Sequence, residues 1–150
     1  RIRPRQKLFF TRLRYNKLKP VTPSAQQLNP ATMREIVVLT GIAHPKPLLT
    51  HLGKTYNIVG EHLFPDHHPF TEREIQSVYD RYFNNTGNRC LLVTTEKDWM
   101  RLQNEHIINI VSLLPVFVAP VEVEFLTEAQ RVTFNQIIQD HVRRETKENS

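Results

Sequence analysis

The chain has 150 residues, 39% of them hydrophobic and 23% charged, the composition of a globular domain with a core of its own and not of a disordered chain. No run approaches the ~20 apolar residues of a membrane helix, no secretory signal is visible, and a single cysteine, Cys90, excludes an intrachain disulfide. The net charge of +5 is uneven: the first 20 residues carry eight basic side chains and no acidic one, leaving 12 basic and 15 acidic residues for the rest, a balance of −3.

Only the N-terminal arm could therefore follow a phosphate backbone or an anionic membrane surface. The plainer alternative is a solvated hairpin whose charges protect its edge. The chain begins with Arg1 and not Met, and the expectation is that a preceding segment has been removed. Leu8 to Tyr15 alternates loosely among basic residues, and Asn16-Lys17 offers a turn back into Leu18–Val21, which predicts a short β-hairpin. Thr22 to Met33, with Pro23 and Pro30, reads as a linker.

The domain proper is expected over residues 34–150, with residues 1–33 as hairpin and linker. Ile36–Thr40 is an apolar, β-branched run ending at Gly41, a buried strand. His44 to Lys54 has helical spacing, with Pro45 and Pro47 in its first turn and Gly53 at its end. Asn57–Phe64 is a second strand. Thr71 and Glu74 form a capping box that opens a helix with Ile75, Val78, Tyr79 and Tyr82 on one face, and Asn84 to Asn88 are turn residues. Cys90–Thr94 is a third buried strand, with the Cys90 thiol inside it. Thr95 and Asp98 cap a helix carrying Trp99, Met100 and Leu102. Ile107 to Leu114 fits helix or strand. Val116–Ala119 and Val121–Phe125 are extended around Pro120, and Thr127 with Gln130 opens a last helix whose apolar positions are Val132, Phe134, Ile137, Ile138 and Val142. Alternation of apolar strands with helices predicts an α/β fold. The expected form is a small, mostly parallel sheet of about four strands with helices on both faces, preceded by the β-hairpin arm.

In such sheets, ligands collect at the carboxyl ends of the strands. Three strand ends carry chemistry here: Thr40 to Pro45, Phe64 to Phe70, and Thr94 to Asp98. A parallel sheet would put all three on one rim. Asp66-His67 is the richest, because an aspartate beside a histidine can fix the imidazole tautomer and raise its basicity. Pro65 and Pro69 stiffen that loop. The plain alternative is that Asp66 caps a turn and His67 and His68 are exposed loop residues. Lys97 stands at a helix N-terminus, where the dipole disfavours it, so a partner or ligand is expected to hold it; a surface turn balanced by Glu96 and Asp98 is the other reading.

Two motifs lose weight on inspection. Asp66-His67-His68 could suggest a metal phosphoesterase, but two-metal sites need several carboxylates, and the other aspartates are only Asp80, Asp98 and Asp140. Gly53-Lys54-Thr55 matches the tail of a P-loop, but the glycine required five residues earlier is Leu48, and the segment ends a helix instead of opening one.

Gly41-Ile42-Ala43 with Pro45, then Phe64-Pro65-Asp66-His67-His68-Pro69-Phe70-Thr71-Glu72, then Leu92-Val93-Thr94-Thr95-Glu96-Lys97-Asp98 resemble the C-terminal half of the tetraacyldisaccharide 4′-kinases, the lipid A 4′-kinases of Gram-negative bacteria. The resemblance covers roughly residues 35 to 125 and, more weakly, the arm at Leu8–Val21. His44 stands where that family more often has arginine. The resemblance implies a two-domain P-loop kinase on the cytoplasmic face of the inner membrane. It implies transfer of the γ-phosphate of ATP, with Mg²⁺, to the 4′-hydroxyl of a lipid A precursor disaccharide. The P-loop and a catalytic aspartate would belong to an N-terminal domain outside this sequence. By the same resemblance, His67 would assist that aspartate and Asp66 would orient His67 or support the metal-phosphate region. Gly41, His68, Thr95, Lys97 and Asp98 would line the cleft or the domain interface. The fragment alone is then expected to be inactive, to bind no cofactor or metal itself, to be soluble and to need no nucleic acid. Two other classes stay open on the residues alone: a module whose basic arm binds anionic lipid or nucleic acid, and a metal-dependent phosphoesterase.

Overall fold

A computed structural model describes residues 6–84 and 90–148. Tyr15–Pro120 forms one compact unit, and the described parts of Arg1–Arg14 and Val121–Ser150 form a second.

The larger unit is built on a five-stranded sheet. Its members are β2 (Lys19–Pro20), β3 (Glu35–Thr40), β4 (Asn57–Leu63), β5 (Cys90–Thr94) and β6 (Val116–Val118) in the order β2-β6-β5-β3-β4. β3 runs parallel to both β4 and β5, and β5 parallel to β6; only β2 is antiparallel. The expected strands and their parallel sense are therefore present, with β2 added at one edge.

Strand periodicity divides the core into two halves. Val37, Leu39, Leu92 and Val116 point to one face, where Ile75 and Val78 of α3 (Glu72–Val78), Leu102 of α4 (Glu96–Leu102) and Val111 of α5 (Ile108–Val111) cover them. Ile36, Val38, Leu91, Val93 and Phe117 point to the other, under Leu48 and Leu52 of α2 (Lys46–Gly53) and Ala25 of α1 (Pro23–Gln26). Helices on both faces explain why β3 and β5 are apolar throughout instead of alternating. The ambiguous stretch from Ile107 resolves as the short helix α5.

α3 runs on into a π-helical turn, Tyr79–Phe83. This brings Tyr82 over β4, where a Cβ on Gly60 would come within 2.4 Å of the Tyr82 hydroxyl. Gly60 is thus required by close approach. Of the turn residues expected from Asn84 to Asn88, those after Asn84 lie outside the described residues.

Two expectations need correction. The arm strands form, but they do not pair with each other: β1 (Thr11–Tyr15) pairs with β7 (Val121–Phe125), and β2 joins the main sheet beside β6. The segment read as a linker is anchored in the core. Thr22 is buried and donates to Leu114 O at 2.7 Å, while accepting from Val116 N at 3.0 Å, and Ala25 is fully buried. Propensity for turns says nothing of such long-range partners, and tertiary contacts decided the outcome. The expected last helix is α6 (Glu128–Glu148), on which Val132, Ile137, Ile138 and Val142 remain exposed. Within the smaller unit, Phe9, Phe125 and Phe134 form an aromatic cluster with ring centroids 5.2–6.1 Å apart, and Arg12 pairs with Glu124 at 2.8 Å. Among the described residues, no helix is long and apolar enough to cross a membrane.

Candidate functional site

The parallel sense of β3, β4 and β5 brings their carboxyl ends to one rim, and the three loops that follow are joined by a single buried carboxylate. Asp98, fully buried in the first turn of α4, accepts through Oδ2 from the Thr40 hydroxyl at 2.7 Å, the Gly41 N–H at 3.0 Å and the Thr95 hydroxyl at 2.8 Å. Its Oδ1 lies 3.3 Å from Nη1 of Arg101. A buried carboxylate persists only when it is paired and hydrogen-bonded, and Asp98 meets both conditions. It is not the surface-turn residue of the alternative reading. Thr95 closes the arrangement as N-cap, its hydroxyl accepting from Asp98 N at 3.1 Å.

Arg101 carries the connection outward. One guanidinium nitrogen, Nη1, donates to Gly41 O at 3.1 Å, and the other, Nη2, to His67 Nδ1 at 3.1 Å, lying also 3.6 Å from Asp66 Oδ1. Gly41 sits tightly where these groups converge: a Cβ there would press on Pro65 O at 3.2 Å and touch Asp98 Oδ1 at 3.4 Å. Lys97 is held as its unfavourable position demanded: Nζ donates to Asp66 Oδ1 at 2.8 Å. That bond, with the His67 N–H at 3.0 Å, keeps the Asp66 carboxyl below the usual carboxylate range against the opposing effect of desolvation.

The loop itself is a tight turn. His68 N–H donates to Pro65 O at 3.2 Å, and His67 has φ 63°, the left-handed region. A positive φ at the third position of a four-residue turn is the type II sign pattern, usually reserved for glycine. His67 is held there by its bonds to Asp66 and Arg101, with its side chain 80% exposed.

His68 faces the other way. Its ring stacks on Phe64 with centroids 4.3 Å apart, and Nε2 reaches both oxygens of Glu74 at 2.9 and 3.0 Å. Glu74 also accepts from Thr71 N at 3.0 Å, so the capping box of α3 doubles as the anchor of the histidine loop. Burial alone would raise the Glu74 carboxyl, but the bonds from Thr71 and His68 outweigh it and hold it low. His68 is thus engaged in fixing the loop, and the outward-facing groups are His67, Asp66 and Lys97.

Sequence reasoning missed Arg101 and the second role of Glu74. Arg101 stands three residues after Asp98 on a helix, the spacing of a side-chain pair, which was the available signal. Glu74 was visible only as half of a capping box. Cys90 lies buried as expected, its thiol pushed up to about 11 by burial and by Glu35.

Neither a phosphate cradle nor a metal centre is found among the described residues. The amides after Gly53 are spent on helix carbonyls: Lys54 N donates to His51 O at 3.3 Å, and Thr55 N and Tyr56 N to Leu52 O at 3.1 and 2.9 Å. No group of three or more histidine, cysteine or acidic side chains is placed to hold a metal ion.

Comparison with known proteins gives one consistent result. The family described as Tetraacyldisaccharide-1-P 4'-kinase matches over residues 2–143. The chain is similar to the Tetraacyldisaccharide 4'-kinase of Bacteroides thetaiotaomicron, 36% identical over 98% of the chain and 41% of the relative. It is also similar to those of Bacteroides fragilis, 32% identical over 98% and 40%, and Phocaeicola vulgatus, 31% identical over 96% and 40%. The chain therefore spans about two fifths of the length of the curated relatives it matches. No solved structure gives a match.

Proposed function

This chain belongs to the tetraacyldisaccharide-1-P 4'-kinase family, and from that premise we propose that it is the C-terminal part of a kinase that phosphorylates the 4′-hydroxyl of a tetraacyldisaccharide 1-phosphate in lipid A biosynthesis. The observation that carries the reading is the family match over nearly the whole chain, at two fifths of its relatives' length. In this reading the α/β unit is the C-terminal domain of a two-domain enzyme. ATP and Mg²⁺ are held by residues of the longer polypeptide, because neither a cradle nor a carboxylate cluster for them is found among the described residues.

The residues here supply one wall of the active site. The 4′-hydroxyl attacks the γ-phosphorus, the bond to the leaving ADP breaks, and the hydroxyl proton passes to a carboxylate outside this chain. His67, exposed at the rim, orients that carboxylate through an imidazole N–H. Asp66 holds the turn that presents His67, and Lys97 neutralises Asp66. Gly41, Thr95 and Asp98 fix the rim, and His68 locks the loop from behind. The exposed apolar residues of α6, Val132, Ile137, Ile138 and Val142, suit a partner in the N-terminal P-loop domain of the same protein. The basic arm, with Lys7, Arg14, Lys17 and Lys19, suits an anionic membrane surface, and the whole enzyme works at the cytoplasmic face of the inner membrane. No nucleic acid is needed.

Most of the rate in phosphoryl transfer comes from the phosphate cradle and the metal. With radiolabelled ATP, the full-length protein should convert tetraacyldisaccharide 1-phosphate to a labelled 1,4′-bisphosphate, and residues 1–150 alone should give none. Turnover by the fragment, or none by the full-length protein, would overturn the reading.

A further inference from the structure

We infer that Arg101 is a positioning residue that fixes the tautomer of His67. An arginine side chain has donors and no acceptor, so the 3.1 Å contact between Arg101 Nη2 and His67 Nδ1 requires a lone pair on Nδ1. The ring proton then sits on Nε2, at the exposed edge, where it can be donated to an anionic oxygen. The assignment rests on geometry from three sides. Arg101 is mostly buried, its side chain 20% exposed. Its Nη1 is tied to the Gly41 carbonyl at 3.1 Å and to buried Asp98 at 3.3 Å. His67 is held in the left-handed region by a turn closed between Pro65 and His68. The guanidinium thus has a fixed origin, and the imidazole has a fixed backbone.

The other charged groups near the ring do not compete for Nδ1. Asp66 Oδ2 lies 3.6 Å from Nε2, and Lys97 is spent on Asp66 Oδ1 at 2.8 Å. Asp98 lies behind Arg101 and bonds the rim, leaving His67 to the guanidinium. The second nitrogen of a histidine sets the chemistry of the first; here that second partner is Arg101. The consequence is a ring built to donate at Nε2, the role given to it in the proposed function, on which this inference rests.

The test uses the full-length protein labelled with ¹⁵N-histidine, with the His67 signals assigned by their loss in His67→Gln. Two-bond proton–nitrogen correlations distinguish the tautomers directly. The native protein should show Nε2 protonated and Nδ1 bare. Arg101→Met, which keeps the packed stem and removes the donors, should give a mixture of both tautomers. In turnover, Arg101→Met should cost about tenfold, but should add almost nothing in a His67→Ala background, because the two residues act as one unit. An Nδ1–H tautomer in the native protein, or an equal loss of turnover in both backgrounds, overturns the inference. Should Arg101→Met fail to fold, Arg101→Lys, which keeps the charge beside Asp98 and loses the second donor nitrogen, replaces it in both readouts. If His67→Ala leaves turnover unchanged, the proposed role of His67 fails, while the spectrum still settles what Arg101 does.

Discussion

At the scale of single residues, the backbone of His67 separates two effects that one substitution usually mixes. Its φ of 63° is costly for any residue with a Cβ and worst for a β-branched one. His67→Gly and His67→Val both remove the imidazole, yet the valine variant is expected to be less stable by about 1–2 kcal/mol in denaturant unfolding. Equal stabilities would mean that the turn is not held as described. Asp98 has the opposite character, since its value is structural. Asp98→Ala strips partners from Thr40, Gly41, Thr95 and Arg101 at once, and a loss of about 3 kcal/mol is expected. Thr94, fully buried at the end of β5, has a hydroxyl with no partner among the described residues. Thr94→Val should therefore raise stability by roughly 1 kcal/mol, the cost of burying an unpaired hydroxyl. A destabilised valine variant would show that the hydroxyl is bonded after all.

At the scale of elements, the histidine loop and the start of α3 behave as one piece. Glu74 caps the helix and grips His68, and Asp66 grips Lys97 of α4. Both carboxyls sit below their ordinary values, 3.8 for Asp66 and 4.5 for Glu74. A carboxyl depressed in the folded state stabilises it fully above the ordinary value, and that contribution disappears as pH falls through the lower, folded value. The loop should therefore hold from neutral pH down to about pH 5 and loosen below pH 4. Amide exchange at His67 and Thr71 as a function of pH would show it, and constant protection down to pH 2 would exclude it. Much of this was legible in the sequence. The capping boxes, the buried strands and the three strand ends on one rim follow from local spacing and apolar pattern. The pairing of β1 with β7, the anchoring of Thr22 and the bridge made by Arg101 depend on partners 34 or more residues distant. No local pattern encodes those.

At the scale of the whole molecule, the chain offers a well-paired rim and, in the proposed function, one wall of an active site. The α/β unit has a two-sided core and a rim whose buried groups are almost all paired. Its outward groups are His67, Asp66 and Lys97, no phosphate cradle is found beside them among the described residues, and on α6 Val132, Ile137, Ile138 and Val142 stay exposed. Family membership with two-fifths coverage fits the proposal that the remaining machinery lies in a longer polypeptide. The most direct measurement is the turnover of the full-length kinase carrying His67→Gly, at saturating ATP and disaccharide. Glycine accepts the left-handed turn, so the imidazole alone is lost. Turnover lower by about 10²-fold, the scale of a positioned proton-handling group, is the predicted result; turnover within a factor of about two of the native enzyme would contradict the placement of His67 in the active site.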